Sequence, residues 1–169
     1  MIEIGAAAQP EDIAIVRELL REYEHALGVD LCFQGFAQEL ANLPGDYAPP
    51  RGLLLLARDG DAVAGCIALR PVDHGDCEMK RLYVRDAFRA AGLGRRLVER
   101  VIATAHSLGY RRIVLDTLPT MVAAQRLYES FGFTDVPPYR HNPIGGTRFL
   151  GLDLATPART DSDPLTTNA

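Results

Sequence analysis

The chain has 169 residues, 47% hydrophobic and 24% charged, with 18 basic against 22 acidic side chains and a formal net charge of −4. That length and apolar share suit a single globular domain with its own core, and the acidic balance disfavours a nucleic-acid partner. Cys32, Cys66 and Cys77 have no paired metal-ligand spacing and form no even-numbered disulfide framework, so they read as small apolar residues and no metal site is expected.

The segment Met1-Ile2-Glu3-Ile4 is not a positively charged leader, and no apolar run reaches bilayer length, so a cytoplasmic protein without membrane contact is expected. Glu3-Ile4 reads as a short first strand. Pro10-Glu11-Asp12 then opens an amphipathic helix with Ile13, Val16, Leu19, Leu20, Tyr23 and Leu27 at helical spacing, stopped by Gly28. A second short helix covers Phe36 to Leu43, and Gly45 to Gly52 reads as a loop. Gly52 to Arg58 and Ala62 to Arg70 form a hairpin around Asp59-Gly60-Asp61, with a third strand from Cys77 to Val84. A helix from Leu93 ends at Gly109. The strand Arg112 to Asp116, a helix from Met121 to Phe131, and strands near Phe133 to Val136 and Thr147 to Leu154 complete the domain. The order β-α-α-β-β-β-α-β-α-β-β predicts an α/β fold over residues 1–154, with a mixed, mostly antiparallel sheet between helices on both faces. The polar tail, 155–169, is expected to be disordered.

Chemistry concentrates first at Arg89-Ala90-Ala91-Gly92-Leu93-Gly94-Arg95, between a strand and a helix. Glycines let backbone approach a ligand, and helix-opening amides attract an anion. The spacing is neither G-x-G-x-x-G nor G-x-x-x-x-G-K-[ST], so this is neither a dinucleotide fingerprint nor a P-loop. On its own the run has a glycine turn with a solvated basic face as its alternative reading.

The strand Glu78 to Val84, the turn Arg89-x-x-Gly92-x-Gly94 and the segment Gln125-Arg126-Leu127-Tyr128-Glu129-Ser130-Phe131-Gly132-Phe133 together resemble the GNAT superfamily of acyl-CoA-dependent N-acetyltransferases. The resemblance implies that the loop Arg89, Ala90, Ala91, Gly92, Leu93, Gly94 and Arg95 holds the pyrophosphate of acetyl-CoA. It also implies that Leu82-Tyr83-Val84 runs beside the pantetheine arm, chiefly through the backbone of Leu82 and Val84. Glu78 matches the glutamate base of histone-type members, with Lys80 and Leu82 expected on the same strand face and pairing with Lys80, Arg81 or Arg148 as its structural alternative. Tyr128 matches the superfamily's usual acid, with core packing as its alternative. Many members carry an Asn seven residues before that Tyr; Met121 stands there, leaving that contact to Thr117 or Thr120.

Transfer from a thioester to an amine needs a neutral amine, a polarised carbonyl and a proton for the thiolate, which the resemblance assigns to Glu78, strand backbone and Tyr128 in a ternary complex. The acceptor is expected to be a small-molecule primary amine, amino-acid-like or polyamine-like, with Tyr47, Arg70 and Asn142 as candidate contacts. A peptide amine and a non-catalytic acyl-CoA sensor stay open as alternatives, as does assembly into a homodimer.

Overall fold

A computed structural model describes residues 1–32 and 35–154; the expected tail from Ala155 lies outside the described residues. Strand β1 (Ile2–Ala6) leads into helix α1 (Pro10–Leu27), which Pro10 opens at its first turn and Gly28 ends in a left-handed conformation, φ 66°. Helix α2 (Phe36–Ala41) and a 3₁₀ turn at Gly45–Tyr47 precede strands β2 (Leu53–Asp59), β3 (Ala62–Pro71) and β4 (Asp76–Val84). Then come α3 (Leu93–Ser107), β5 (Arg112–Thr117), α4 (Val122–Ser130), β6 (Thr134–Asp135) and β7 (Arg148–Asp153).

This is the expected order, and the ends differ by a few residues. The expected strand near Phe133 to Val136 shrinks to Thr134 and Asp135, paired with Gly151 and Leu150. The expected loop from Gly45 contains the 3₁₀ turn, and this turn buries Tyr47.

The seven strands lie in the order β1-β2-β3-β4-β5-β7-β6. Every neighbouring pair is antiparallel except β4 and β5. Strand side chains alternate between faces, so the sheet divides two cores. Leu54, Leu56, Cys66 and Ala68 pack under α1 and α2 with Leu19, Leu20 and Phe36. Leu55, Ile67, Leu69, Cys77 and Met79 pack under α3 and α4 with Leu97, Val101 and Tyr128. Among the described residues no helix is long and apolar enough to cross a membrane.

Two local features shape the middle of the sheet. Strands β4 and β5 pair only from Asp76–Glu78 to Arg112–Val114 and part beyond that point. Asp76, 5% exposed, secures the closed end by pairing with Arg111 at 3.1 Å and Arg112 at 2.9 Å. Strand β4 also carries a bulge: Arg81 takes φ 62°, and the β3–β4 register shifts between Cys66 and Ala68. Beside the bulge, β3 comes so close that a Cβ on Gly65 would overlap the Tyr83 carbonyl oxygen.

Candidate active site

The parting of β4 and β5 opens the sheet toward the start of α3. From Leu82 to Val84, β4 runs on past the end of its ladder with β5, so this stretch can lie beside an extended ligand. A cleft of about 820 Å³ runs along this edge. Its walls include Leu82, Tyr83 and Val84 on one side, Thr120 to Ala124 on another, and Arg89, Ala90, Gly92, Gly94 and Arg95 at its mouth.

The mouth has the geometry of an anion cradle. Gly92 precedes α3 in a left-handed conformation, φ 73°, and no side chain caps the helix, leaving its first amides directed outward. Ala90 is also left-handed, φ 67°, a strained choice for a residue with a Cβ. Gly94 sits in ordinary helix, where a Cβ would only touch Leu127 at 3.5 Å, so its lack of a side chain widens the cleft rather than permits the backbone. Arg89 donates to the Val84 carbonyl at 3.0 Å and pairs with Asp86. Arg95 reaches Ser130 Oγ at 2.9 Å and stacks over Phe131.

A second, inner cavity shares Tyr23, Leu27, Leu82 and Met121 with this cleft, and its further walls include Lys80, Leu115, Asp116, Tyr128 and Asn142. Tyr128 is 5% exposed; burial, with Tyr23 and Asp116 adding, raises its phenol pKa well above the ordinary value, so the hydroxyl keeps its proton at neutral pH. Asn142 Nδ2 donates to Asp116 Oδ2 at 3.3 Å. Thr117 is buried, with its hydroxyl toward Met121 Sδ, whereas Thr120 lines the outer cleft.

Glu78 lies deeper. Its Oε1 accepts from Arg70 Nε at 2.8 Å and from Arg140 Nη2, and its Oε2 accepts from the Tyr139 hydroxyl at 2.6 Å. Burial pushes the Glu78 carboxyl up, but Lys80, Arg140, Arg70 and the Tyr139 hydrogen bond outweigh it and hold the pKa below the ordinary glutamate value. The ion-pair partners are therefore Arg70 and Arg140, in place of the expected Arg81 and Arg148. Arg81 forms a two-pronged pair with Glu39 of α2, both contacts 2.9 Å, and Arg148 goes to Glu129 and Asp135.

The bulge explains a second difference. Leu82, expected on the same face as Glu78 and Lys80, packs with the α3–α4 core, because the extra residue at Arg81 resets the alternation. Arg81 instead lies over Phe36 and Tyr23 on the α1–α2 side. Lys80 is 7% exposed; burial, helped by Arg81 and opposed by Glu78, pushes its ammonium pKa down to about 7.

Of the residues read as acceptor contacts, Asn142 lines the inner cavity. Arg70 and the buried Tyr47 join the charged cluster around Glu78. Tyr23, Lys80, Asp116, Tyr139 and Arg140 gain their importance only from the fold. Tyr23 reads in the sequence as an ordinary core residue of an amphipathic helix, whereas the resemblance sets Lys80 on the Glu78 strand face and the segments 116–121 and 139–144 beside the cleft without fixing individual roles. Cys66 and Cys77 are buried, with thiol pKa values pushed up to about 12, which fits inert packing; Cys32 is exposed.

The model of the acetyltransferase (GNAT) family matches residues 14–133. An uncharacterized N-acetyltransferase of Schizosaccharomyces pombe is 45% identical over 156 residues, covering 91% of this chain and 96% of the relative. A GNAT-family acetyltransferase structure from Staphylococcus aureus aligns with a TM-score of 0.76 at 22% identity, over 92% of this chain and all of the other, a likeness of fold. A Salmonella typhimurium protein solved with its cofactor acetyl-CoA aligns with a TM-score of 0.64 at 25% identity, over 95% of this chain and 98% of its own.

Proposed function

The chain belongs to the acetyltransferase (GNAT) family and is an acetyl-CoA-dependent acyltransferase, and from that premise we propose that it moves the acetyl group onto the primary amine of a small molecule by direct transfer. One observation chiefly supports this reading. The outer cleft, with the Arg89–Arg95 loop at its mouth, meets the inner cavity at Leu82 and Met121, and Tyr128, Lys80 and Asp116 stand beyond the junction.

In this reading the amides opening α3 hold the pyrophosphate, with Arg89 and Arg95 as flanking charges. The unladdered edge of β4, at Leu82 and Val84, binds the amides of the pantetheine arm, and Thr120 takes the neighbouring contact in preference to Thr117. Bound acetyl-CoA supplies a thioester, whose carbonyl carbon bonds to the amine nitrogen while the carbon–sulfur bond breaks. Tyr128 gives its proton to the departing sulfur, and the proton that the nitrogen sheds as the amide forms restores the phenol through solvent. Asp116 accepts a proton from the incoming ammonium and passes it to solvent, which leaves a neutral nitrogen with a lone pair.

Glu78 already accepts from three donor side chains and is held ionised. We therefore read it as a positioning residue that keeps Arg70, Arg140 and Tyr139 aligned beneath the acceptor. A thiol-release assay with acetyl-CoA over amino acids, polyamines, aminoglycosides and peptides tests the proposal. Release that depends on a small amine is expected. Acetyl-CoA binding with no amine-dependent release would point to an acyl-CoA sensor, and release with peptides alone would move the acceptor to the macromolecular class.

A further inference from the structure

We propose, building on the N-acetyltransferase reading above, that the acceptor amine carries a carboxylate of its own: an amino-acid-type substrate whose ammonium docks at Asp116 and whose carboxylate docks on the side of Arg70, Lys80 and Arg140. The inference starts from strand register. Glu78 stands opposite Val114 in the short parallel ladder, so Lys80 and Asp116, each two residues further along, share a sheet face on the two sides of the parting strands. Both line the inner cavity with Tyr128. Paired strands lie about 5 Å apart before they diverge, a separation that the short backbone of an amino acid can bridge.

The charges around this face do not balance. Glu39 occupies Arg81 with two hydrogen bonds. That leaves Arg70, Lys80 and Arg140 gathered about Glu78 as their shared carboxylate. These are shielded groups: Glu78 is fully buried, Lys80 is 7% exposed, and the Arg70 and Arg140 side chains are 25% and 21% exposed. Shielded positive charge in excess is costly unless an anion joins it.

One buried polar atom in this cluster, Arg140 Nε, has no hydrogen-bond partner among the described residues, and it can donate. A carboxylate brings one negative charge and two acceptor oxygens, the complement of what the cluster lacks. Across the parting, Asp116 offers the opposite charge, steadied by Asn142. In the cavity lining Lys80 and Asp116 oppose each other, and Arg70 and Arg140 join Lys80 through the shared Glu78, a pattern that fits a zwitterion better than a polyamine, whose second ammonium would face Lys80.

The test is a matched acceptor series with the full chain and acetyl-CoA, read as thiol release: several amino acids, their amides and methyl esters, and the corresponding amines without the carboxylate. The acids are expected to exceed their amides in kcat/KM by about 10- to 100-fold, the range of a charge-assisted contact. In Arg140→Gln that acid-over-amide preference is expected to collapse while acetyl-CoA affinity stays unchanged. The wild-type series stands by itself if the variant folds poorly. Amides, esters, polyamines or peptide amines used as well as the acids would overturn the carboxylate inference and leave acetyl transfer intact. Thiol release with no amine of either class, by a chain that still binds acetyl-CoA, would instead overturn the acetyltransferase reading.

Discussion

Arg140 reaches back across 62 residues of sequence to pair with Glu78, a carboxylate with no solvent exposure. Glu78→Gln leaves Arg70, Arg140 and Lys80 without that charge, and breaking a buried pair in this way costs about 3–5 kcal/mol. Urea denaturation is expected to show a loss of that order. In the pH–rate profile the acidic limb is expected to persist, because the positioning role assigns that limb to another group; its disappearance would return the base role to Glu78.

Tyr128→Phe removes one hydroxyl from the wall of the inner cavity and changes little else in the packing against Phe133. Loss of a general acid lowers kcat by about 10²- to 10⁴-fold. Acetyl-CoA affinity, measured by titration calorimetry, is expected to stay near wild type. A fully active variant would remove the acid assignment.

Lys80 gives stability a pH dependence of known sign. Its folded pKa, pushed down to about 7, lies below the unfolded value, so between these values the unfolded chain binds more protons and stability from this group rises with pH. The raised pKa values of Cys66 and Cys77 act in the opposite direction above the ordinary thiol range. The useful window is therefore about pH 7 to 8.5, where the slope approaches 1.4 kcal/mol per pH unit. Lys80→Met is expected to abolish that slope, read from unfolding free energies at the two ends of the window.

Gly65→Ala tests the bulge. The added methyl would meet the Tyr83 carbonyl oxygen and the Val84 Cα, so β3 or the bulge must move. A loss of about 2–4 kcal/mol is expected, in the range of other forced backbone clashes, with reduced affinity for acetyl-CoA because Tyr83 and Val84 border its proposed cleft. Wild-type stability and affinity together would show that the bulge tolerates a side chain.

Most of the fold could be read in advance because its signals are local. Continuous apolar runs in Leu53–Asp59 and Ala62–Pro71, helical spacing from Pro10 to Leu27, and stops at Gly28 and Gly109 each depend on neighbours a few positions away. The turn before α3 was equally legible, since Gly92 supplies the left-handed conformation on which the helix opens.

The acceptor side obeyed no such rule. Arg81 at φ 62° shifts the alternation of β4 by one residue, turning Leu82 away from the face of Glu78, and no residue type announces that bulge. The pairs that set the charge of the site, Glu39 with Arg81 and Glu78 with Arg140, join positions 42 and 62 residues apart. The sequence by itself determined the order of elements, the family and the glycine turn that opens α3, because short-range periodicity and capping chemistry are written into adjacent residues. Only the tertiary structure decided which charges meet beside the parted strands, because that depends on how far β4 and β5 separate and which chain segments close over the gap.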